Sequence, residues 1–147
     1  MKLGTPLVVG CLMIASMVLV QATAITAILR LVRRQVPRSD TVAHWVHNVG
    51  VAAQALLIMV AAQLVQIAAW AALFVACREF DDFSTAFYHS AVNFTTLGYG
   101  DIVMSPSWKL LGPLEAVAGM LMFGVSTAGL FRVTETLIHH REGPRIG

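Results

Sequence analysis

Residues 93–103 read NFTTLGYGDIV. Thr95 to Asp101 place two threonines, two glycines and an acid between long apolar runs. In a soluble fold Gly98 and Gly100 would serve as turn residues. In a membrane the same stretch needs another reason, because backbone groups left unpaired in lipid are costly. The rest of the chain decides which setting applies.

The chain has 147 residues, enough for one domain, with 57% hydrophobic and 12% charged residues and a mean hydropathy of +0.73. Soluble domains carry about 25% charged residues. The charges fall in bands. Leu3 to Leu29 and Asn48 to Cys77 contain none, and Leu110 to Phe131 contains only Glu115. A bilayer core of roughly 30 Å is crossed by about 20 helical residues, so each run is long enough. No polar face is left for a water-facing bundle helix. The net charge of +2, with no basic cluster interleaved with aromatics, gives no reason to expect nucleic-acid binding.

Lys and Arg set the expected orientation. Arg30, Arg33, Arg34, Arg38, Arg132, Arg141 and Arg145 fall on one side of three crossings, and Lys2, Arg78 and Lys109 on the other. The reading is a multi-pass protein of the cell inner (plasma) membrane, with the N terminus outside and the C terminus cytoplasmic. The first run is read as a span rather than a leader cleaved after ATA at 22–24, since cleavage there would leave three arginines to be exported. Cys11 and Cys77 are expected at different depths and therefore unbridged.

The expected organisation is a transmembrane helix within 1–34 and a linker over 35–47 with a short interfacial helix around Trp45. An outer helix over 48–77, a pore helix over 83–95 and an inner helix over 108–138 follow, then a tail over 139–147. Gly4, Pro6 and Gly10 predict an irregular start to the first helix. Gln54, Gln63 and Gln66 are expected to face protein, since bare amides are costly in lipid. Asp81 or Asp82 is the expected cap of the helix beginning near Phe83. That helix has about 12 residues before the glycines and rises only about 18 Å. It must enter the membrane and return, and TTLGYGD forms the return.

A re-entrant backbone is tolerated where it is shielded by protein or lines a water-filled path. A dehydrated cation there needs oxygen ligands, and backbone carbonyls supply them without fixed charge. Gly98 and Gly100 permit the dihedrals that turn carbonyls to a common side. Thr96 is expected to add its hydroxyl at the inner end, Thr95 to hydrogen-bond behind the loop, and Tyr99 to point outward. The C terminus of the short helix carries roughly half a negative charge toward the membrane centre. Glu79, Asp81, Asp82 and Asp101 near the outer mouth outnumber Arg78 there and concentrate cations. One loop cannot encircle an ion, so several copies around an axis are required.

In this context TTLGYGD looks like the selectivity-filter signature of potassium channels. Residues 48–138, with an inner helix beginning SWKLLGPLEAVAGMLMFGVSTAGLF, resemble the bacterial two-transmembrane ion-channel (pore-domain) family. The first helix lies outside that core and is similar to the extra helix of small three-helix members. The resemblance implies an all-α homotetramer in the lipid bilayer. Its K⁺ sites would be formed by Thr96, Leu97, Gly98, Tyr99 and Gly100, and Asp101 would brace the filter from behind. It also implies an inner-helix hinge at Gly119, with Gly124 as second choice; close helix packing is the other reading of these glycines.

Three positions depart from the family pattern. Leu97 stands for the common Val, Tyr88-His89 stands for a pair of tryptophans, and Val92 stands where some members place a Glu. Glu115 is a candidate substitute for that Glu, or a cap for nearby amides. His44, His47, His139 and His140 are either interfacial polar residues or pH sensors. No cofactor beyond permeating K⁺ is expected, and no enzyme motif such as H-E-x-x-H or G-x-S-x-G is present. The alternatives to a K⁺-selective channel are a weakly selective cation channel and a non-conducting membrane subunit.

Overall fold

The computed structural model describes residues 4–35 and 43–139, the side chains of 43–46 and 136–139 excepted. Four helices follow one another: α1 (Gly4–Gln35), α2 (Ala43–Ala76), α3 (Phe83–Phe94) and α4 (Leu111–His139). No strand occurs among the described residues. Gly4–Gln35, His47–Ala76 and Leu111–Glu135 are long and apolar enough to cross a membrane. The 12 residues of α3 reach only about 18 Å.

Two apolar clusters order the bundle. The first draws Met17 from α1, Ile67, Trp70, Ala71 and Phe74 from α2, Ala86 and Phe94 from α3, and Leu111, Ala118 and Met122 from α4. The second draws Ile28 and Val32 from α1, Val51, Ala55 and Met59 from α2, and Val133 from α4. Chain numbers rise together along α1 and α4 and fall along α2. Helices α1 and α4 therefore run parallel, with α2 antiparallel to both.

A polar knot lies between the two clusters. Gln21 of α1 donates to Ser126 Oγ of α4 at 2.8 Å, and Gln63 of α2 donates to the same oxygen at 2.9 Å. Gln66 of α2 donates to Gln21 Oε1 at 2.9 Å. Ser126 passes its own proton to the Met122 carbonyl at 2.7 Å. These amides are buried, as expected of Gln63 and Gln66. Gln54 differs: it is exposed and bonds Gln35 near the end of α1. It lies close to the end of its span, where a long polar side chain reaches the interface.

Three expected boundaries shift. The segment read as a separate interfacial helix is, from Ala43 onward, the opening of α2, and no break precedes Asn48. Helix α1 is regular from Gly4, because Pro6 falls in its first turn, where its missing N–H has no partner to lose. Gly10 lets α4 approach instead: a Cβ there would overlap the side chain of Leu114. Helix α4 begins at Leu111 rather than Trp108. Residues 106–110 form turns closed by Trp108 N→Ser105 O and Leu111 N→Trp108 O.

Candidate functional site

Helix α3 is fixed at its start by Asp82, which has extended backbone (φ −125°, ψ 149°) and accepts from Thr85 N at 2.8 Å. Hydrogen bonds to Thr85, first from its side chain and then from its backbone, hold the Asp82 carboxyl below its ordinary pKa. Glu79, counted in sequence among acids of the mouth, is instead a tie. It accepts from both the amide and the hydroxyl of Ser105 at 2.6 Å. This joins the α2–α3 link to the loop entering α4.

The end of α3 carries the more telling geometry. Thr96 N bonds Asn93 O at 2.8 Å and Leu97 N bonds Val92 O at 2.9 Å. With Thr95 as the C-cap, these are the two bonds of a Schellman motif. The residue such a motif holds in left-handed conformation is usually glycine. Here it is Thr96, at φ +61°. A β-branched residue there costs about 1–3 kcal/mol and persists only where its surroundings over-determine it. Gly98 N also reaches Val92 O at 3.3 Å, so the helix end keeps hold of the chain into the loop.

Left-handed residues then recur at every second position: Thr96 at φ +61°, Gly98 at +59° and Gly100 at +71°. Leu97 and Tyr99 between them keep ordinary φ. Alternating handedness sets successive peptide groups in a common direction, the arrangement that lines up N–H groups in anion-binding nests. Carbonyls lie opposite those N–H groups, so the same alternation can present a row of oxygens to a cation. The sequence pointed to the two glycines; it gave no signal that Thr96 shares their conformation.

The loop is braced against α3. Tyr88 donates to Asp101 Oδ2 at 2.8 Å, tying the middle of α3 to the residue after Gly100. Beside it, His89 is buried against the rings of Phe74 and Phe80, with centroids 5.6 and 5.0 Å away, and meets Asn93 Nδ2 at 2.9 Å. Thr95 Oγ1 turns back to Ala91 O at 2.7 Å. Residues 95–101 are otherwise exposed, Leu97 at 56% and Tyr99 at 65%. Tyr99 thus leaves most of its surface open in the single chain.

Behind α3 stands α4. Glu115 is fully buried and joined to Ser90 of α3, a partner that no sequence pattern announced. Gly119 lies directly on the end of α3, where an added Cβ would overlap the backbone carbonyl of Phe94. This close approach demands glycine whether or not α4 bends there. Gly124 has nothing within 4 Å of an added Cβ. His47 Nε2 contacts the Gln35 carbonyl at 2.6 Å, between α2 and α1. The side chains of His44 and His139, and all of His140, lie outside the described residues.

A family model described as ion channel matches residues 60–136, just over half of the chain. The chain belongs to this ion-channel family. No curated protein and no solved structure matches it. The matched part of the channel begins within α2 and ends within α4, so it takes in α3, TTLGYGD, Glu115 and Gly119. Helix α1 of the channel lies outside the match and is fastened to it by Gln21.

Proposed function

We propose that the chain is the subunit of a homotetrameric, potassium-selective channel that passes K⁺ down its electrochemical gradient. The observation that carries this reading is the left-handed alternation at Thr96, Gly98 and Gly100, directly after a helix too short to cross. In this reading α3 is a re-entrant pore helix, and the carbonyls of Thr96, Leu97, Gly98, Tyr99 and Gly100 replace the hydration shell of the ion. Four copies around an axis close the ring of oxygens, and the exposed faces of Leu97 and Tyr99 meet neighbouring subunits. Asp101, held by Tyr88, and Thr95 keep the row in place. Glu115 supports α3 from behind. The N terminus is outside and the C terminus cytoplasmic, in the cell inner (plasma) membrane, so that α3 descends from the outer side. Its C-terminal dipole then favours a cation at the membrane centre.

The mechanism follows from two costs. Na⁺ and K⁺ both lose water on entry, and a row of carbonyl dipoles of fixed spacing and number compensates one ion better than the other. Adjacent ions repel, so a queue of weakly held ions moves on without a deep trap. The test is rubidium uptake into vesicles containing the reconstituted protein. Wild type is expected to take up Rb⁺ or K⁺ far faster than Na⁺. Gly98→Ala should lose this uptake: no atom obstructs a Cβ there, but φ +59° costs an L side chain about 1–2 kcal/mol in every subunit. Equal Na⁺ and Rb⁺ uptake would defeat the selectivity claim.

A further inference from the structure

Ser90 occupies a junction of three helices. Its Oγ lies 2.8 Å from the backbone carbonyl of Ile67 in α2 and in hydrogen-bond contact with Glu115 Oε1 in α4. A hydroxyl has one proton, and a carbonyl can only accept. If Ser90 gave its proton to Glu115, its oxygen would face the Ile67 oxygen at 2.8 Å with no hydrogen between them. If Ser90 gives its proton to Ile67, the hydrogen between Ser90 and Glu115 must come from the carboxyl. Only the second arrangement satisfies both contacts.

The surroundings agree with that count. Glu115 is 0% exposed, and among the described residues its Oε2 has no hydrogen-bond partner. An unpaired carboxylate oxygen in such a site is far costlier than the carbonyl oxygen of a neutral acid. Among the described residues no ion pair to Glu115 compensates it. From α3 it meets Ser90 and Asn93, and through Asn93 the ring of His89. From α2 it meets the Ile67–Ser90 junction, and residues 48–76 contain no ionisable side chain. On α1 the nearby residues are Gly10, Met13 and Met17, with Cys11 exposed on another face. Along α4 itself the nearest other charge in sequence is Arg132, and Lys109 lies in the turns that precede the helix.

We propose that Glu115 is a positioning residue held as a neutral carboxylic acid, whose proton completes a clamp of Ile67, Ser90 and Glu115 across α2, α3 and α4. Ser90 is thus the point at which α2 and α4 both bond the same residue of α3. The clamp sets the height of α3 against α4, and thereby the place where residues 96–100 start. Loss of the proton puts two acceptors against one donor and leaves a buried charge, so the clamp opens as pH rises. Its bearing on ion passage rests on the conduction reading above; its protonation state does not.

The test uses the full chain reconstituted in lipid, with Glu115→Gln, Glu115→Ala and Ser90→Ala. The infrared difference between wild type and Glu115→Gln at neutral pH is expected to show the carbonyl band of a protonated carboxylic acid. That band should shift in Ser90→Ala, where it loses its hydrogen-bond partner. The thermal midpoint and the K⁺ over Na⁺ flux ratio of wild type should fall with rising alkaline pH. Both should stay flat in Glu115→Gln, whose amide still donates to Ser90, and both should be lost in Glu115→Ala. A carboxylate band at neutral pH, or the same alkaline fall in Glu115→Gln, overturns the proposal. A wild type that shows the acid band and the alkaline fall in midpoint, yet passes no ions, upholds the clamp and defeats the conduction reading instead.

Discussion

The two seams that hold α4 both carry polar contacts, Ser90–Glu115 in one and the Ser126 amides in the other, but they differ in how closely the helices approach. Against α3 the contact is close because a side chain is missing, and the carbonyl of Phe94 rests on Gly119. Against α1 and α2 the contact is specific because polar side chains are present, with Gln21 and Gln63 sharing the hydroxyl of Ser126. The first seam tolerates almost no change in volume, since the obstacle is backbone. The second is a pool of amides in which one bond can be lost while others remain. The helix that leads into residues 95–101 is placed by the stiff seam, and α1 is placed by the adaptable one.

The sharpest way to break this contrast is at glycine. Gly119→Ala should destabilise the protein by about 3 kcal/mol, the upper range for overpacking a core, because α3 and α4 must part. Gly124→Ala meets no atom within 4 Å and should stabilise α4 by about 0.5–1 kcal/mol through its better helix propensity. Thermal unfolding of the two variants in detergent checks both. Equal effects would mean that the α3 seam is no tighter than a lipid-facing surface.

The next expected effect is at the amide seam. Gln21→Leu removes the bonds to Ser126 and Gln66 and should cost about 1–2 kcal/mol, the range for interhelical hydrogen bonds in membranes. Protease release of α1 from the folded protein reads it, and ion passage should outlast the loosening. A loss as large as that of Gly119→Ala would show that the two seams are alike.

How far each seam could be foreseen follows from the same difference. Charge-free runs of 27 and 30 residues and a run of 22 with a single acid marked the spans, and Gln63 and Gln66 announced a protein-facing side by their cost in lipid. Asp82 was readable as a cap because capping chemistry is local. Gly119 was readable only as a glycine, since close packing and hinging ask for the same residue. Ser90 gave no signal, because its meaning lies in a carboxyl 25 residues away in sequence. Thr96 ran against its own propensity: a β-branched residue in left-handed conformation is imposed by the Schellman bonds and the loop that follows. The interfacial helix was a misreading of α2, since Trp45 suits an interface whether or not the helix breaks after it.

Smaller effects belong to the exposed end of α3. Tyr88→Phe removes only the bond to Asp101, and should lower the ratio of K⁺ to Na⁺ passage with little change in unfolding temperature. Flux ratios measured in the same vesicles decide it. Asp82→Asn should have the least effect at neutral pH, because asparagine also caps helices. The acid form of Asp82 is the weaker cap. Its carboxyl pKa is lowered in the folded chain, so its contribution is present above the ordinary carboxylate value and is lost as pH falls through the lowered one. Unfolding midpoints from neutral to acid pH should converge between wild type and Asp82→Asn at the acid end.

The central claim is that alternating left-handed residues at 96, 98 and 100 make a carbonyl filter that prefers K⁺. The direct test is the reversal potential of the purified protein in a planar bilayer, with K⁺ on one side and Na⁺ on the other. The account predicts a reversal displaced far toward the K⁺ equilibrium potential, and no current when Na⁺ is the sole cation. A reversal near zero, with Na⁺ carrying as much current as K⁺, would contradict it.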